Sequence, residues 1–182
     1  MGRRKGTVPP WAVGLLCAVL LLAFVRPLLA QRVREELQTA WEKSVISSVA
    51  RIAKEQHLTA IDLLSTEGRQ GRTLVTADNL RLELLTLLVR QDLNPPAVSV
   101  PLGTFTGWRF LSGLGPGVPF PVKAWSGVQV GYGTGLTFGE KGAALYQITL
   151  RATGSFRVFT PFGWVTGTPT AALRLCETLV LE

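Results

Sequence analysis

The sequence predicts an α+β protein: a single N-terminal transmembrane helix, followed by a small domain of two helices packed on antiparallel strands that ends in a long-stranded β-meander. Three observations predict this class. An apolar run fills Trp11 to Val25, helical periodicity continues to Asp92, and the rest is rich in Gly, Pro, Thr and Val with alternating apolar residues. We therefore divide the chain into an anchor, residues 1–30, and a domain, residues 31–182, with a helical half, 31–92, and a β half, 93–182.

The apolar run near the N-terminus has the features of a membrane segment. It holds fifteen uncharged residues, preceded by the bases of residues 3–5 and followed by Arg26. A bilayer core requires about 20 helical residues, a length reached only when Leu28 to Ala30 are included. The preceding bases place the N-terminus in the cytoplasm and the domain outside the cell membrane. A retained anchor is favoured over a signal peptide cleaved after Ala30, because Leu28 is large for its place before the cleavage site.

The net charge of +7 does not indicate a nucleic-acid partner. Four of the 19 basic residues lie in the first thirty positions, which leaves 15 bases against 12 acids from Gln31 onward. The domain also lacks a basic stripe with interleaved aromatic residues, so we expect no nucleic-acid binding.

Apolar spacing predicts two helices in the first half of the domain. The first runs from about Gln31 to Glu55 and turns one face to the core: Leu37, Trp41, Val45, Ser48 and Ile52. The second is capped by Asp78 or Thr76 and ends before the prolines that follow Asn94, because proline cannot continue a helix. Its expected core face consists of Leu80, Leu84, Leu87 and Leu88.

Alternation and turn residues predict the strands. A short hairpin pairs Leu58–Leu64 with Thr73–Thr76 through the turn of residues 66–71. Two long strands, Ala144 to Phe159 and Trp164 to Val180, are joined by the turn of residues 160–163. Gly131, Gly133 and Gly135 are interpreted as a strand with bulges, because the strand-to-helix context of a phosphate-binding loop is missing.

The residues that usually carry catalysis or bind metals are few and scattered. His57 is the single histidine and is expected at the surface, at a junction between helix and strand. Cys176 is the single cysteine of the domain and is expected to be buried as a small apolar residue. Glu140 and Lys141 are interpreted as a solvated hairpin tip. We therefore expect no catalytic residue, metal, cofactor or small-molecule substrate.

A loop rich in glycine and proline follows the helical half. Its glycines and prolines fix a shaped backbone at low entropic cost, while its apolar side chains require burial. Two interpretations remain open: an ordered loop folded over its own sheet, or an interaction surface for another subunit, another protein or a membrane face. The candidate interaction residues are Phe105, Trp108, Phe110, Leu111, Pro116 and Pro119.

Two segments of this loop, VPLGTFTG (Val100 to Gly107) and LSGLGPGVPFPV (Leu111 to Val122), resemble the signature of the sporulation protein YunB family. The similarity extends to the basic N-terminus with one apolar segment, to Asn79, to Gly127-Val128 and to Glu177-Thr178-Leu179-Val180. The chain departs from the family at Gly139 to Gln147, where relatives carry a polar run. The resemblance implies a role in spore formation, on the mother-cell side of the developing spore.

Three functions are consistent with these features. The first is a membrane-anchored structural or assembly role in sporulation, with self-association or binding of other sporulation proteins through the loop and the edge of the sheet. The second is a binding module for a cell-wall or spore-envelope ligand outside the cytoplasm. The third is a degenerate or undetected hydrolase. The first is favoured because of the anchor, the absence of catalytic chemistry from the sequence and the apolar loop.

Overall fold

The computed structural model describes residues 10–69, 72–138 and 144–180. The predicted α+β class, with two helices and a β-meander, is confirmed. In chain order the helices and strands are α1 (Pro10–Glu55), β1 (Leu64–Arg69), β2 (Arg72–Ala77), α2 (Asn79–Asp92), β3 (Val98–Pro101), β4 (Gly117–Phe120), β5 (Val122–Phe138), β6 (Ala144–Thr160), β7 (Gly163–Gly167) and β8 (Thr170–Val180).

The main sheet is the predicted meander, with β6 at its centre. Strand β5 pairs antiparallel with β6 on one side, while β7 and β8 pair with it on the other. The third strand of the meander is thus divided in two, at Thr168 and Pro169. Even-numbered β6 residues are buried, except the partly buried Tyr146, and odd-numbered ones are partly or fully exposed, so one face of the sheet carries the helices and the other faces solvent.

Helix α1 supplies the largest part of the core. The predicted core face is confirmed, because Leu37, Trp41, Val45, Ser48 and Ile52 are all buried. The helix begins well before Gln31 and is continuous through Pro27. Its buried residues join those of β6 and of α2 in one apolar cluster, which fixes α1 across the sheet.

Helix α2 begins as predicted, but its predicted core face is wrong. Asp78 is the N-cap and its Oδ1 accepts a hydrogen bond from the backbone N–H of Arg81 over 3.2 Å. The buried residues of α2 are Leu82, Leu85 and Val89. On the predicted core face, Leu88 is half-buried and the other three leucines are exposed: Leu80, Leu84 and Leu87. The prediction failed because leucines occupy two opposite sides of this helix.

The short hairpin exists but is displaced from its predicted position. Ile61–Leu63 forms a 3₁₀ turn, and β1 then extends through Arg69, into the predicted turn of residues 66–71. Leu64 lies opposite Ala77, and Arg69 lies opposite Arg72. The alternation of Leu58 to Leu64 thus belongs to a connection, except for Leu64, which begins β1.

The predicted transmembrane helix is wrong. In the part of the chain that the structure describes, no helix has the length and apolar character needed to cross a membrane. The predicted span had to include residues 25–30, but Val25 and Leu29 are buried within the protein. A Cβ placed on Gly107 would lie 3.2 Å from the Cγ2 of Val25. The predicted membrane localisation, with the domain outside on the mother-cell side, depended on this span and is overturned with it.

Smaller predictions have mixed outcomes. His57 is exposed just after α1 with a positive φ of 50°, and Cys176 is buried, as expected. Gly131, Gly133 and Gly135 lie in strand β5, as predicted. The bulges predicted at these glycines are wrong, because the register shifts of β5 occur earlier, between Ala124 and Gln129. The predicted tip at Glu140 and Lys141, the bases of residues 3–5 and most of the divergent run that starts at Gly139 lie outside the described residues.

Candidate interaction surfaces

The loop between β3 and β4 is held in one shape by hydrogen bonds. Leu102 N–H donates to the carbonyl of Pro116 over 3.0 Å, and Gly103 N–H donates to that of Leu114 over 2.8 Å. The hydroxyl of the buried Thr104 donates to the carbonyl of Ser112 over 2.7 Å. These bonds close the loop on itself, with two 3₁₀ turns inside it.

Close backbone contact at Gly103 tightens this loop further. A Cβ on Gly103 would lie 1.9 Å from the carbonyl oxygen of Leu111. Real Cβ atoms do not approach an oxygen so closely. The backbone segments at Gly103 and Leu111 can therefore meet only because residue 103 lacks a side chain.

One side of the loop packs on the domain and the other faces solvent. Phe105 is half-buried, with its ring centroid 6.2 Å from that of Phe120. Trp108 is 61% exposed and Phe110 is 71% exposed, and their rings meet edge to face at 5.4 Å. Leu102 and Leu114 are exposed on the same loop. We call Leu102, Trp108, Phe110 and Leu114 the loop patch.

The structure divides the six predicted interaction residues into two groups. Trp108, Phe110, Pro116 and Pro119 are exposed, whereas Phe105 and Leu111 are partly buried. The partly buried group folds the loop over its own domain, and the exposed group is accessible to a partner. The two interpretations of the loop are therefore compatible. Leu102 and Leu114 were missed, and only their position between glycines and prolines could have indicated them.

A polar rim separates the loop from α1. A recess there is lined by Leu28, Gln31, Arg32, Glu35, Arg109 and Ser112. Arg32 and Glu35 form an ion pair at 2.9 Å. Hydrogen bonds from Arg32 and then Gln31 lower the pKa of the Glu35 carboxyl, so this rim is charged at neutral pH.

A second exposed aromatic group lies on the open face of the main sheet. Phe159 and Trp164 are opposite each other on β6 and β7, with ring centroids 5.1 Å apart. Trp125 lies at an irregularity of β5, and the guanidinium of Arg157 stacks on its ring, 2.7 Å from the centroid. We call Trp125, Phe159 and Trp164 the sheet patch; all three are about half exposed or more.

A shallow cavity of about 320 Å³ lies beside the sheet patch. Arg26 and Arg34 of α1 form one wall, and Phe162 and Trp164 form part of the other. Arg34 donates from Nε to the carbonyl of Thr166 over 3.4 Å. Two guanidinium groups beside aromatic rings can accept an anionic group that carries an apolar face.

The class of this protein is defined by its fold and its exposed surfaces alone. Across residues 10–69, 72–138 and 144–180, no three His, Cys, Asp or Glu side chains lie together as a metal site. Neither a protein-family model, nor a curated protein, nor a solved structure matches this chain. The class is a two-layer α+β protein, and its described residues include two separate exposed aromatic surfaces, the loop patch and the sheet patch.

Proposed function

We propose that this chain is a structural protein of spore formation, without catalytic activity, that assembles by contact between the loop patch of one copy and the sheet patch of another. The observation that carries the proposal is the exposure of Trp108 and Phe110 on a loop fixed by internal hydrogen bonds. Removing such side chains from water is worth about 1.5–3 kcal/mol each, so a partner surface gains from covering them.

The rigidity of the loop supports a role in binding. A flexible loop loses conformational freedom when a partner fixes it, whereas a loop already fixed loses little. Gly103, Thr104 and the carbonyl of Pro116 hold the backbone without help from Trp108 or Phe110. The two aromatic side chains are thus free to serve as contacts, and aromatic residues are enriched at the centres of interfaces.

The presence of two different aromatic patches favours a second copy as the partner. A contact between unlike patches is heterologous, so each added copy exposes a new patch, and the assembly grows into a ring or a filament. The sheet patch offers Trp125, Phe159 and Trp164 to the loop of a neighbour.

The biological process is proposed from the resemblance to the YunB family. Both resembling segments, Val100 to Gly107 and Leu111 to Val122, belong to the loop and its flanking strands. The two resembling segments therefore contain Leu102 and Leu114 of the loop patch and flank its Trp108 and Phe110. In a spore-forming host, we expect replacement of the gene by a Trp108→Ser/Phe110→Ser copy to reduce spore yield at an unchanged protein level.

Mixing of two variants tests the assembly mode. Variant L carries Trp108→Ser and Phe110→Ser, and variant S carries Trp125→Ser and Trp164→Ser; all four positions are exposed, so both should fold. Neither variant alone should form loop-to-sheet contacts, whereas in an equimolar mixture each copy of variant L should form one such contact, with a copy of variant S. Growth of either variant alone to the size of wild type would contradict the proposal.

A second candidate function rests on the cavity formed by Arg26, Arg34, Phe162 and Trp164. Its two arginines beside aromatic rings fit an anionic cell-wall or spore-envelope polymer. A chain that stays monomeric at high concentration and sediments with peptidoglycan would favour this function over assembly. In that case Arg26→Ala/Arg34→Ala should abolish the co-sedimentation, and the loop variant should leave it unchanged.

A further inference from the structure

Helix α2 is apolar on two opposite sides, and only one of them is covered. Leu82, Leu85 and Val89 face the core. Leu80, Leu84 and Leu87, which we call the leucine stripe, are 81%, 49% and 55% exposed. At 3.6 residues per turn these three lie within an arc of about 60°. A surface helix normally presents polar residues there, so the stripe indicates a partner.

Charges beside the leucine stripe show which partner fits. Glu83 and Arg90 lie on the same flank of the stripe, about 20° apart around the axis and about 10 Å apart along it. That distance is too long for them to pair with each other, and among the described residues neither forms an ion pair. The opposite flank is already engaged: Arg81 pairs with Asp62 and Asp78, and Asp92 pairs with Arg51.

We infer that the leucine stripe is a dimer interface, on which α2 of a second copy packs antiparallel about a twofold axis between Thr86 and Leu87. In an antiparallel helix pair each flank faces the same flank of the other copy, so Glu83 faces Arg90 of the partner copy in both directions. The two Leu87 side chains meet near the axis, and Leu84 packs one turn away on each side. The contact thus covers Leu84 and Leu87 and pairs the two charges of each copy, while Leu80 lies at its edge, opposite the end of the partner's helix.

This dimer is independent of the proposed function, because it uses neither the loop patch nor the sheet patch. It should be measured in the full chain with Trp108→Ser/Phe110→Ser, where loop-to-sheet growth is removed and only the α2 contact remains. Sedimentation velocity should then give a dimer. Leu84→Gln/Leu87→Gln should convert it to a monomer, whereas Ile61→Gln, at an exposed apolar residue outside α2, should not.

Charge exchange distinguishes this geometry from general stickiness. Glu83→Arg places Arg against Arg twice across the axis and Arg90→Glu places Glu against Glu twice, so each alone should weaken the dimer about tenfold at low salt. The double exchange, Glu83→Arg/Arg90→Glu, should restore it. An equimolar mixture of the two single variants should form a heterodimer, because the unlike charges then face each other.

The results that would overturn the inference are equally specific. They are a monomeric background chain at every concentration, a dimer that survives loss of Leu84 and Leu87, or single charge variants that do not recover when mixed. Circular dichroism of each variant shows whether it is folded. Failure of the loop-to-sheet assembly leaves the inference standing, and failure of the α2 dimer leaves the proposed function standing.

Discussion

The indole nitrogen of Trp41 donates a hydrogen bond to the backbone carbonyl of Ala152 over 3.1 Å, which ties helix α1 to the central strand of the sheet. The ring of Trp41 also lies 5.1 Å from that of Phe156, and all three residues are buried. The fold that presents the loop patch and the sheet patch thus depends on one side chain that joins its two layers.

Trp41→Phe should destabilise the fold by about 2–4 kcal/mol, because it removes the hydrogen bond and leaves a cavity beside Phe156. Urea denaturation measures this as a lower midpoint with an unchanged slope. Trp164→Phe is the matched control, since Trp164 is exposed, and it should change stability by less than about 0.5 kcal/mol. Equal effects of the two substitutions would contradict this role of Trp41.

Gly103→Ala should open the loop. The added Cβ would clash with the carbonyl oxygen of Leu111, a backbone atom, so the loop must move at a cost of about 1–3 kcal/mol. Hydrogen exchange should show lost protection at the amides of Gly103 and Leu102, which bond across the loop. Gly131→Ala, where an added Cβ has open space, should leave the same amides protected.

Thr59→Ala should raise the pKa of Asp62. The Thr59 hydroxyl donates to Asp62 Oδ2 over 2.6 Å and is the largest cause of the lowered pKa, followed by the Thr59 backbone N–H and Arg81. A carboxyl whose pKa is lowered on folding stabilises the folded chain above its unfolded pKa, and this stability is lost as the pH falls through the lowered pKa.

The stability difference between wild type and Thr59→Ala should therefore contain a part that is constant near neutral pH and disappears in acid. Denaturation at a series of pH values, with an NMR titration of the Asp62 carboxyl, measures both effects. A difference that does not depend on pH would show that the hydroxyl does not act through the charge of Asp62.

The sequence predicted those elements in which one pattern dominates. Leu37, Trp41 and Ile52 recur at helical spacing with charged residues between them, so only one face of α1 could be apolar. The long strands β6 and β8 alternate clearly, and the turn that joins β6 to β7 was recognisable. The hairpin register that follows from this turn would also have placed Phe159 opposite Trp164.

The failures occurred where two patterns compete in one segment. Helix α2 carries leucines on two sides, and the sequence alone does not say which side the sheet covers. The apolar N-terminal run is the first part of helix α1, and Val25 and Leu29 of this helix are buried against the rest of the protein. A run that packs on protein and a run that spans a membrane have similar apolar sequences, so the pattern alone favoured the wrong one. In the loop, exposure is decided by backbone contacts such as Gly103 with Leu114, which no local pattern reveals.

Sedimentation velocity of the full wild-type chain over a range of concentrations tests the central claim most directly, with the Trp108→Ser/Phe110→Ser chain beside it. We expect wild type to form species larger than a dimer as concentration rises, because loop-to-sheet contacts add copies without closing after two. The double variant should stop at a dimer or smaller. A wild-type chain that sediments no larger than its loop variant at every concentration would contradict the account.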